Sequence, residues 1–203
     1  ITTMAQTSTT ILSSKTHKAN ISVTEGADFT VTGTEYKIST TTTSLGNLAQ
    51  FDLITITGTL SNNKTFTVKS VATDGLSIIV EELVTAEEAD GSTTTTIDHT
   101  GFVSDKFKGD GYYSQPDGVH TVAYHVNASI NDDANIKLKM QGTLATTPTE
   151  DDYFDISGTT IDSSNIDGST LAFSANFTGN FVWVRAKITG MSAGEVTKIL
   201  FNH

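Results

Sequence analysis

The sequence predicts an all-β protein, and three observations carry this prediction. β-Forming residues, Thr above all, dominate the chain, and apolar residues alternate with polar ones over short segments. Asp-Gly pairs, which suit tight turns, separate several of these segments, and helix signals are almost absent. We therefore predict a small β-barrel or compact β-sandwich module followed by a C-terminal antiparallel β-sandwich of jelly-roll type.

The first 18 residues are rich in Thr and Ser and contain few large apolar side chains. This composition is typical of a segment that cannot bury enough apolar surface to order by itself. We expect residues 1–18 to be a flexible N-terminal arm, either free in solution or ordered against a neighbouring subunit.

Residues 19–100 are expected to form the small β-module, because short alternating segments follow one another closely. The apolar positions that share a face in the predicted strands are Ile21 and Val23, Phe29 and Val31, Tyr36 and Ile38, Ile54 and Ile56, and Phe66 and Val68. A more continuous apolar run near residues 76–80 and a closing strand near residues 93–99 complete this module.

Residues 101–203 are expected to form the β-sandwich domain. Ile136, Leu138 and Met140 alternate with polar residues, which indicates a strand with one wet face and one buried face. Further strands are predicted around residues 122–126, 153–156, 171–175, 181–188 and 196–201. The Gly-, Asp- and Tyr-rich segment 101–118 lacks a strong period, and we place the domain boundary near residues 100–110.

Composition excludes several classes of protein. The 203 residues include no Cys, which excludes disulfide scaffolds, thiol nucleophiles and Cys-based metal centres. The net charge of −11 argues against nucleic-acid binding, since phosphate contacts need an excess of Lys and Arg. We find neither a signal peptide nor an apolar run long enough for membrane insertion.

Catalytic motifs are also missing from the sequence. It contains no nucleophile elbow, HExxH, P-loop or GxGxxG pattern. A polysaccharide hydrolase would need two carboxylates facing each other across a cleft, and the sequence gives no means of pairing its many acidic residues. We therefore predict a protein that is not an enzyme and that has no cofactor.

The histidines and the acidic clusters are the candidate metal ligands of this sequence. His120 and His125 lie on one predicted strand, where their odd separation puts them on opposite faces, so they cannot share a metal ion. Acidic turns can bind Ca²⁺, but no EF-hand register is present. We predict no metal site; the weak candidates are Asp132, Asp133, Asp151, Asp152 and Asp155.

The segment 181–188 is the most informative strand, because one of its faces mixes aromatic and cationic residues. Phe181, Trp183 and Arg185 share this face. It suits contact with another subunit or a sugar, where Trp and Arg are enriched, or simple packing beneath a loop or second sheet. As interface residues we predict these three together with Tyr112 and Tyr113.

Three segments carry a family resemblance. The run TGNFVWVRAKITGMSAGEVTKILFN at residues 178–202 resembles the ending of virion structural proteins of tailed marine phages, particularly cyanophages. The run TTPTEDDYFDI at 146–156 fits the same resemblance. Residues 51–71, with Val80-Glu-Glu82 after them, are similar to a small β-module common in phage virion proteins.

The resemblance implies a virion component and brings no catalytic residues with it. The expected function is that of a capsid decoration, neck, tail or fibre-base protein, made in the host cytoplasm and acting by symmetric self-assembly. Its expected partners are copies of itself and other virion proteins. The alternative is a carbohydrate-binding or adhesive module that recognises a glycan on a host cell surface.

Overall fold

The computed structural model describes residues 8–127, 129–130, 135–166, 168 and 170–202, and these residues confirm the predicted all-β class. The strands in chain order are β1 (Ser8–Leu12), β2 (Lys15–Thr16), β3 (Ile21–Val23), β4 (Asp28–Thr32), β5 (Glu35–Ser39), β6 (Asp52–Thr57), β7 (Thr65–Val71), β8 (Ser77–Val80), β9 (Thr95–Val103), β10 (Phe107–Lys108), β11 (Val119–Val126), β12 (Lys137–Thr143), β13 (Phe154–Asp155), β14 (Ile161–Asp162), β15 (Ala172–Thr178), β16 (Trp183–Thr189) and β17 (Glu195–Asn202). Short 3-10 turns at Asp110–Tyr113 and Glu150–Asp152 lie between strands. Among the described residues, no helix has the length and apolar character that crossing a bilayer would require.

The chain divides into two compact units, Lys18–Phe102 and Ile1–His17 together with Val103–His203. In the Lys18–Phe102 unit the antiparallel strands follow the order β3-β9-β6-β7-β8-β5-β4. The inward positions of these strands form one apolar core, whose most enclosed members include Val23, Phe29, Ile38, Ile54, Ile56, Phe66, Val68, Ile78 and Ile97. The alternating apolar residues of the sequence thus supply the core of this unit, except that Val31 is 44% exposed.

The second unit is an antiparallel β-sandwich of two sheets. One sheet has the order β1-β17-β11-β15, with β2 also pairing with β17, and the other has β12 between β13 and β16. Tyr124 of β11 donates a hydrogen bond to the Thr159 carbonyl oxygen (2.9 Å), and the Met140 N–H of β12 donates to the Thr159 hydroxyl (3.1 Å). Thr159 therefore links the inner faces of the two sheets, where Val122, Leu138, Met140, Ile188, Ile199 and Phe201 are buried.

The N-terminal segment differs from the expected flexible arm. Residues Ser8–Leu12 pair with β17 of the same chain, and Lys15–Thr16 extend this contact. Ile11 and Leu12 are buried, so the two apolar side chains of a polar segment fix it in the sandwich. The Thr-rich stretch has the β-propensity for this role once a neighbouring strand offers a free edge. Residues 1–7 lie outside the described part.

Candidate binding surface

An exposed aromatic cluster lies in the second unit, formed by Tyr112, Tyr113 and Trp183 with the cationic side chains of Lys106 and Lys108. Tyr112 is 43% exposed and Tyr113 is 51% exposed, while Trp183 is half-buried. Large apolar rings left open to water on a folded surface indicate a site of contact with another molecule. Three of these residues were predicted as interface residues from the sequence.

The backbone of the 3-10 turn Asp110–Tyr113 positions the two tyrosines next to the start of β16. The Gly109 N–H donates to the Val182 carbonyl (3.0 Å), and the Gly111 N–H donates to the Phe181 carbonyl (2.9 Å). A side chain at Gly111 would place its Cβ 2.6 Å from the Asn180 carbonyl oxygen. Glycine is therefore required for this close approach, which carries the tyrosine rings to Trp183.

The Tyr112 ring contacts both Trp183 and Tyr113 at steep angles. The ring centroids of Tyr112 and Trp183 are 4.9 Å apart with an interplanar angle of 59°. Those of Tyr112 and Tyr113 are 5.2 Å apart at 75°, an edge-to-face arrangement. The Trp183 Nε1–H donates to the Thr146 carbonyl oxygen (3.1 Å), which fixes the indole orientation. The cluster is consequently a preorganised, uneven surface rather than a flat one.

Both lysines lie over ring faces of the cluster. The Lys108 Nζ is 4.1 Å from the Tyr112 ring centroid, and the Lys106 Nζ is 4.8 Å from the Trp183 centroid. Cation–π attraction of this kind contributes about 0.5–1 kcal/mol at exposed sites. The cluster therefore combines apolar rings with positive charge on a chain whose net charge is −11.

Sequence reasoning did not identify Lys106 and Lys108 as members of this surface. β10 pairs with β16 so that Lys108 lies opposite Trp183. The alternation of Lys106, Phe107 and Lys108 just before the tyrosines is the signal that would have suggested their role. The strand pairing that joins them to Trp183 is not visible in the local pattern.

Phe181 lies apart from the exposed aromatic cluster. Its ring packs against Phe154 (centroids 5.8 Å apart) and Phe177 (6.4 Å). A Cβ at Gly142 would lie 2.7 Å from the Phe181 ring, so this glycine leaves room for the aromatic side chain. The structure thus uses Phe181 for internal packing within the second unit.

Arg185 is also used internally, in contrast to the expected interface role. It is 5% exposed, and its guanidinium makes two parallel bonds to the Glu150 carboxylate (2.6 and 2.7 Å). The Gln141 side chain accepts from Nε (3.1 Å), and the guanidinium carbon lies 3.6 Å from the Tyr153 ring centroid. The physical reason is that a buried guanidinium needs a compensating carboxylate, and the acidic run 150–152 supplies one.

Two of the acidic residues that were weak metal candidates, Asp152 and Asp155, have structural partners. Asp152 accepts from the Thr149 N–H and hydroxyl at the start of its 3-10 turn, and Asp155 accepts from Lys139 and Gln141. Hydrogen bonds from Thr149 lower the pKa of Asp152. Asp151 is exposed, and Asp132 and Asp133 lie outside the described residues.

The Lys18–Phe102 unit contains a buried charged group that sequence reasoning did not single out. Asp52 is fully buried, with Lys18 Nζ 2.6 Å from Oδ2 and the Ala49 N–H donating to the same oxygen (2.7 Å). Burial raises the pKa of Asp52, but hydrogen bonds from His99 and Lys18 outweigh burial and lower it overall. The carboxylate therefore anchors the beginning of this unit to β6.

A cavity of about 250 Å³ also opens in the Lys18–Phe102 unit, lined by residues that include Gly26, Gly58, Glu87 and Asp90. The Glu87 carboxylate accepts from the Leu60 and Ser61 N–H groups (2.7 and 3.1 Å). Asp90 accepts from the N–H and hydroxyl of Thr93, and these bonds lower the pKa of its carboxyl. Both carboxylates thus hold loops in place.

Comparison with known proteins does not identify a family for this chain. No family model matches the sequence, and no curated protein matches it. A solved structure described as a xylan-binding module, CBM15, aligns with a TM-score of 0.32 and 15% identity, covering 76% of this chain and 91% of that one. At this TM-score the similarity carries no conclusion about function.

Proposed function

We propose that this chain is a non-enzymatic virion structural protein of a tailed phage, serving as a capsid decoration, neck, tail or fibre-base component. It would act by symmetric assembly with copies of itself and by contact with other virion proteins. The observation that carries the assembly role is the exposed aromatic cluster around Trp183. The particle it belongs to is inferred from the resemblance of residues 178–202, 146–156 and 51–71 to phage virion proteins.

The shape of the cluster favours a protein partner. Stacking on a sugar ring needs an open, flat aromatic face, whereas Tyr112 is tilted by 59° to Trp183 and 75° to Tyr113. Lys108 and Lys106 also cover faces of Tyr112 and Trp183. Trp and Tyr side chains that are partly buried in their own subunit are typical anchors of protein interfaces.

Carbohydrate binding is the second candidate, and the exposure of Tyr113 is the observation that favours it. Its ring is 51% exposed and contacts Tyr112 edge-on, which leaves ring surface and a phenol hydroxyl open to a ligand. Affinity electrophoresis in gels containing soluble polysaccharides, with and without chelator, tests this candidate. Retardation that Tyr113→Ser abolishes would support it, and unchanged mobility in every polysaccharide would remove it.

The molar mass in solution tests the assembly proposal. Light scattering on a size-exclusion column, at two protein concentrations, should give a defined oligomer of the 21.6 kDa chain. The double variant Tyr112→Ser/Tyr113→Ser should shift this species toward the monomer while far-UV circular dichroism stays unchanged. Both side chains are exposed, so the substitution leaves the core intact.

Leu60→Ser is the matched control, because Leu60 is 92% exposed and lies in the other unit. It removes a comparable exposed apolar side chain and should leave the oligomer unaltered. A monomer at both concentrations would contradict self-assembly. Equal dissociation of the Leu60 variant and the tyrosine variant would contradict the role of the aromatic cluster.

A further inference from the structure

A polar cluster in the sandwich unit centres on His120 of β11 and has no role in the functions discussed above. The His120 side chain is 3% exposed and packs against the rings of Phe177 (centroids 5.2 Å apart) and Phe201 (5.6 Å). The Nε2 atom is directed to Asp110, 3.2 Å from Oδ2. The Nδ1 atom is buried and has no hydrogen-bond partner in the described part of the chain. The contacts with the two phenylalanine rings and with Asp110 orient the imidazole, so that Nε2 is directed toward the carboxylates.

Asp117 brings a second carboxylate to the same point. One ligand atom from each of Asp110, Asp117 and His120 can be chosen so that all lie within 4.8 Å of one another. An ion pair joins Asp110 to His120, and the carboxylate of Asp117 lies at the same point. A cation bound between the two carboxylates would offset their mutual repulsion on a chain of net charge −11.

Backbone donors orient both carboxylates. The Gly118 N–H donates to Asp110 Oδ2 (2.8 Å), and the Gly179 N–H donates to Asp117 Oδ1 (2.6 Å). Outer hydrogen bonds of this kind fix the direction of ligand groups around a metal ion. The two aspartates also flank the turn that carries Tyr112 and Tyr113, so an ion bound by both would hold that turn at its two ends.

We propose that Asp110, Asp117 and His120 form a binding site for a divalent transition-metal ion of the Zn²⁺ class. One imidazole nitrogen with two carboxylate oxygens is a donor set that Zn²⁺ accepts, with water completing the coordination. Ca²⁺ prefers a shell made only of oxygens and is disfavoured by the imidazole. This site does not depend on the assembly function proposed above.

Zinc titration of the full-length chain, freed of metal with a chelator and followed by calorimetry, tests the proposal. One Zn²⁺ per chain should bind, and Ca²⁺ should bind at least about tenfold more weakly. Asp117→Asn should lower the Zn²⁺ affinity by at least about tenfold. Asp117 is exposed, and the new amide oxygen can still accept from the Gly179 N–H, so this variant should remain folded.

His125→Gln is the matched control, since His125 lies on the same strand with its side chain on the other face and should bind Zn²⁺ like the unmodified protein. His120→Gln should also lose Zn²⁺ binding. If this variant of a buried residue fails to fold, Asp117→Asn still tests the proposal. Zn²⁺ should raise the melting temperature of the unmodified protein and of His125→Gln, but not that of Asp117→Asn. The proposal is overturned by absence of saturable one-to-one binding, by equal affinity of Asp117→Asn and His125→Gln, or by a preference for Ca²⁺.

Discussion

Two residues in this protein show how hydrogen bonds and ion pairs offset the free-energy cost of burying a polar side chain in a β-fold. Arg185 would be costly to bury alone, and Glu150, Gln141 and Tyr153 surround its guanidinium. Tyr124 keeps its phenol in the core by donating to the Thr159 carbonyl, and burial raises its pKa. In both cases the side chain serves the stability of the sandwich, because its polar atoms are already bonded inside the unit.

Replacing Arg185 by Met should destabilise the chain strongly. The change leaves the Glu150 carboxylate, which is 15% exposed, without its guanidinium partner, and we expect a loss of about 3 kcal/mol in the free energy of unfolding. Arg185→Lys should recover only part of this loss, since an ammonium cannot make two parallel bonds to one carboxylate. Urea denaturation measures both variants.

The matched control for Arg185 is Lys187→Met, which removes a cation from a half-buried position of the same strand. We expect a change of roughly 0.5 kcal/mol or less for this variant, as is usual for surface charges. Adding Glu150→Gln to Arg185→Met should restore part of the stability. If the Arg185 and Lys187 variants unfold at the same urea concentration, the ion pair between Arg185 and Glu150 does not stabilise the fold.

Glu25 provides a pH dependence whose sign can be derived. Hydrogen bonds from its own backbone N–H and from the Thr43 N–H lower the pKa of the Glu25 carboxyl from 4.5 to about 2. The unfolded chain then binds this proton at higher pH than the folded chain does. Stability from Glu25 is therefore fully present above pH 4.5 and is lost as the pH falls toward 2.

Glu25→Gln should flatten the fall in unfolding free energy across this acidic range, as measured by urea denaturation at several pH values. Glu35→Gln makes the same change of charge at an exposed strand position and serves as the control. We expect its pH profile to follow that of the unmodified protein. Parallel profiles for Glu25→Gln and the unmodified protein would show that the hydrogen bonds from the Glu25 and Thr43 N–H groups do not act through this carboxylate.

At the scale of elements, the short turn Asp110–Tyr113 decides the shape of the exposed aromatic cluster. The turn lies against the backbone of residues 180–182, because Gly109 and Gly111 have no side chains to keep it away. The two-residue strand β10 pairs with β16 and adds Lys108, and Lys106 directly precedes it. The cluster is thus assembled from two short elements that have little stability of their own and that rest on the long strand β16.

Gly111→Ala should separate the turn from β16. The new Cβ would lie 2.6 Å from the Asn180 carbonyl oxygen, so the turn must shift and carry Tyr112 away from Trp183. We expect a loss of about 1–3 kcal/mol and a changed emission of Trp183, which is the single Trp of the chain. Tryptophan fluorescence and urea denaturation measure the two effects.

Gly46→Ala is the control for this glycine, because its Cβ would meet the Ser44 hydroxyl at 3.3 Å, a side chain that can move, in the other unit. It should leave the Trp183 emission unchanged. An unaltered spectrum for Gly111→Ala would mean that the turn does not hold the tyrosines against the indole.

At the scale of the whole molecule, the chain forms two compact units. Each has its own buried residues, and the exposed aromatic cluster and the proposed metal site both belong to the sandwich unit. The net charge of −11 opposes self-association by long-range repulsion. Assembly through the aromatic cluster should therefore strengthen as added salt screens this repulsion, which the light-scattering experiment can follow.

The amino-acid sequence by itself was sufficient for the all-β class and for most strands, because alternation of apolar and polar residues directly reflects the two faces of a sheet. It also led us to predict Tyr112, Tyr113 and Trp183 as interface residues, and this role stays a prediction. These features depend on local patterns, so they can be read without knowing which strands are neighbours.

Only the tertiary structure decided which distant residues meet. It paired Ser8–Leu12 with β17, gave Arg185 a carboxylate partner 35 residues away, and bonded Asp117 to the Gly179 N–H. It also separated Phe181 from Trp183, although both were expected on one strand face. The physical reason is that strand pairing and buried charge compensation are long-range choices, settled by which edges and which carboxylates the folded chain makes available.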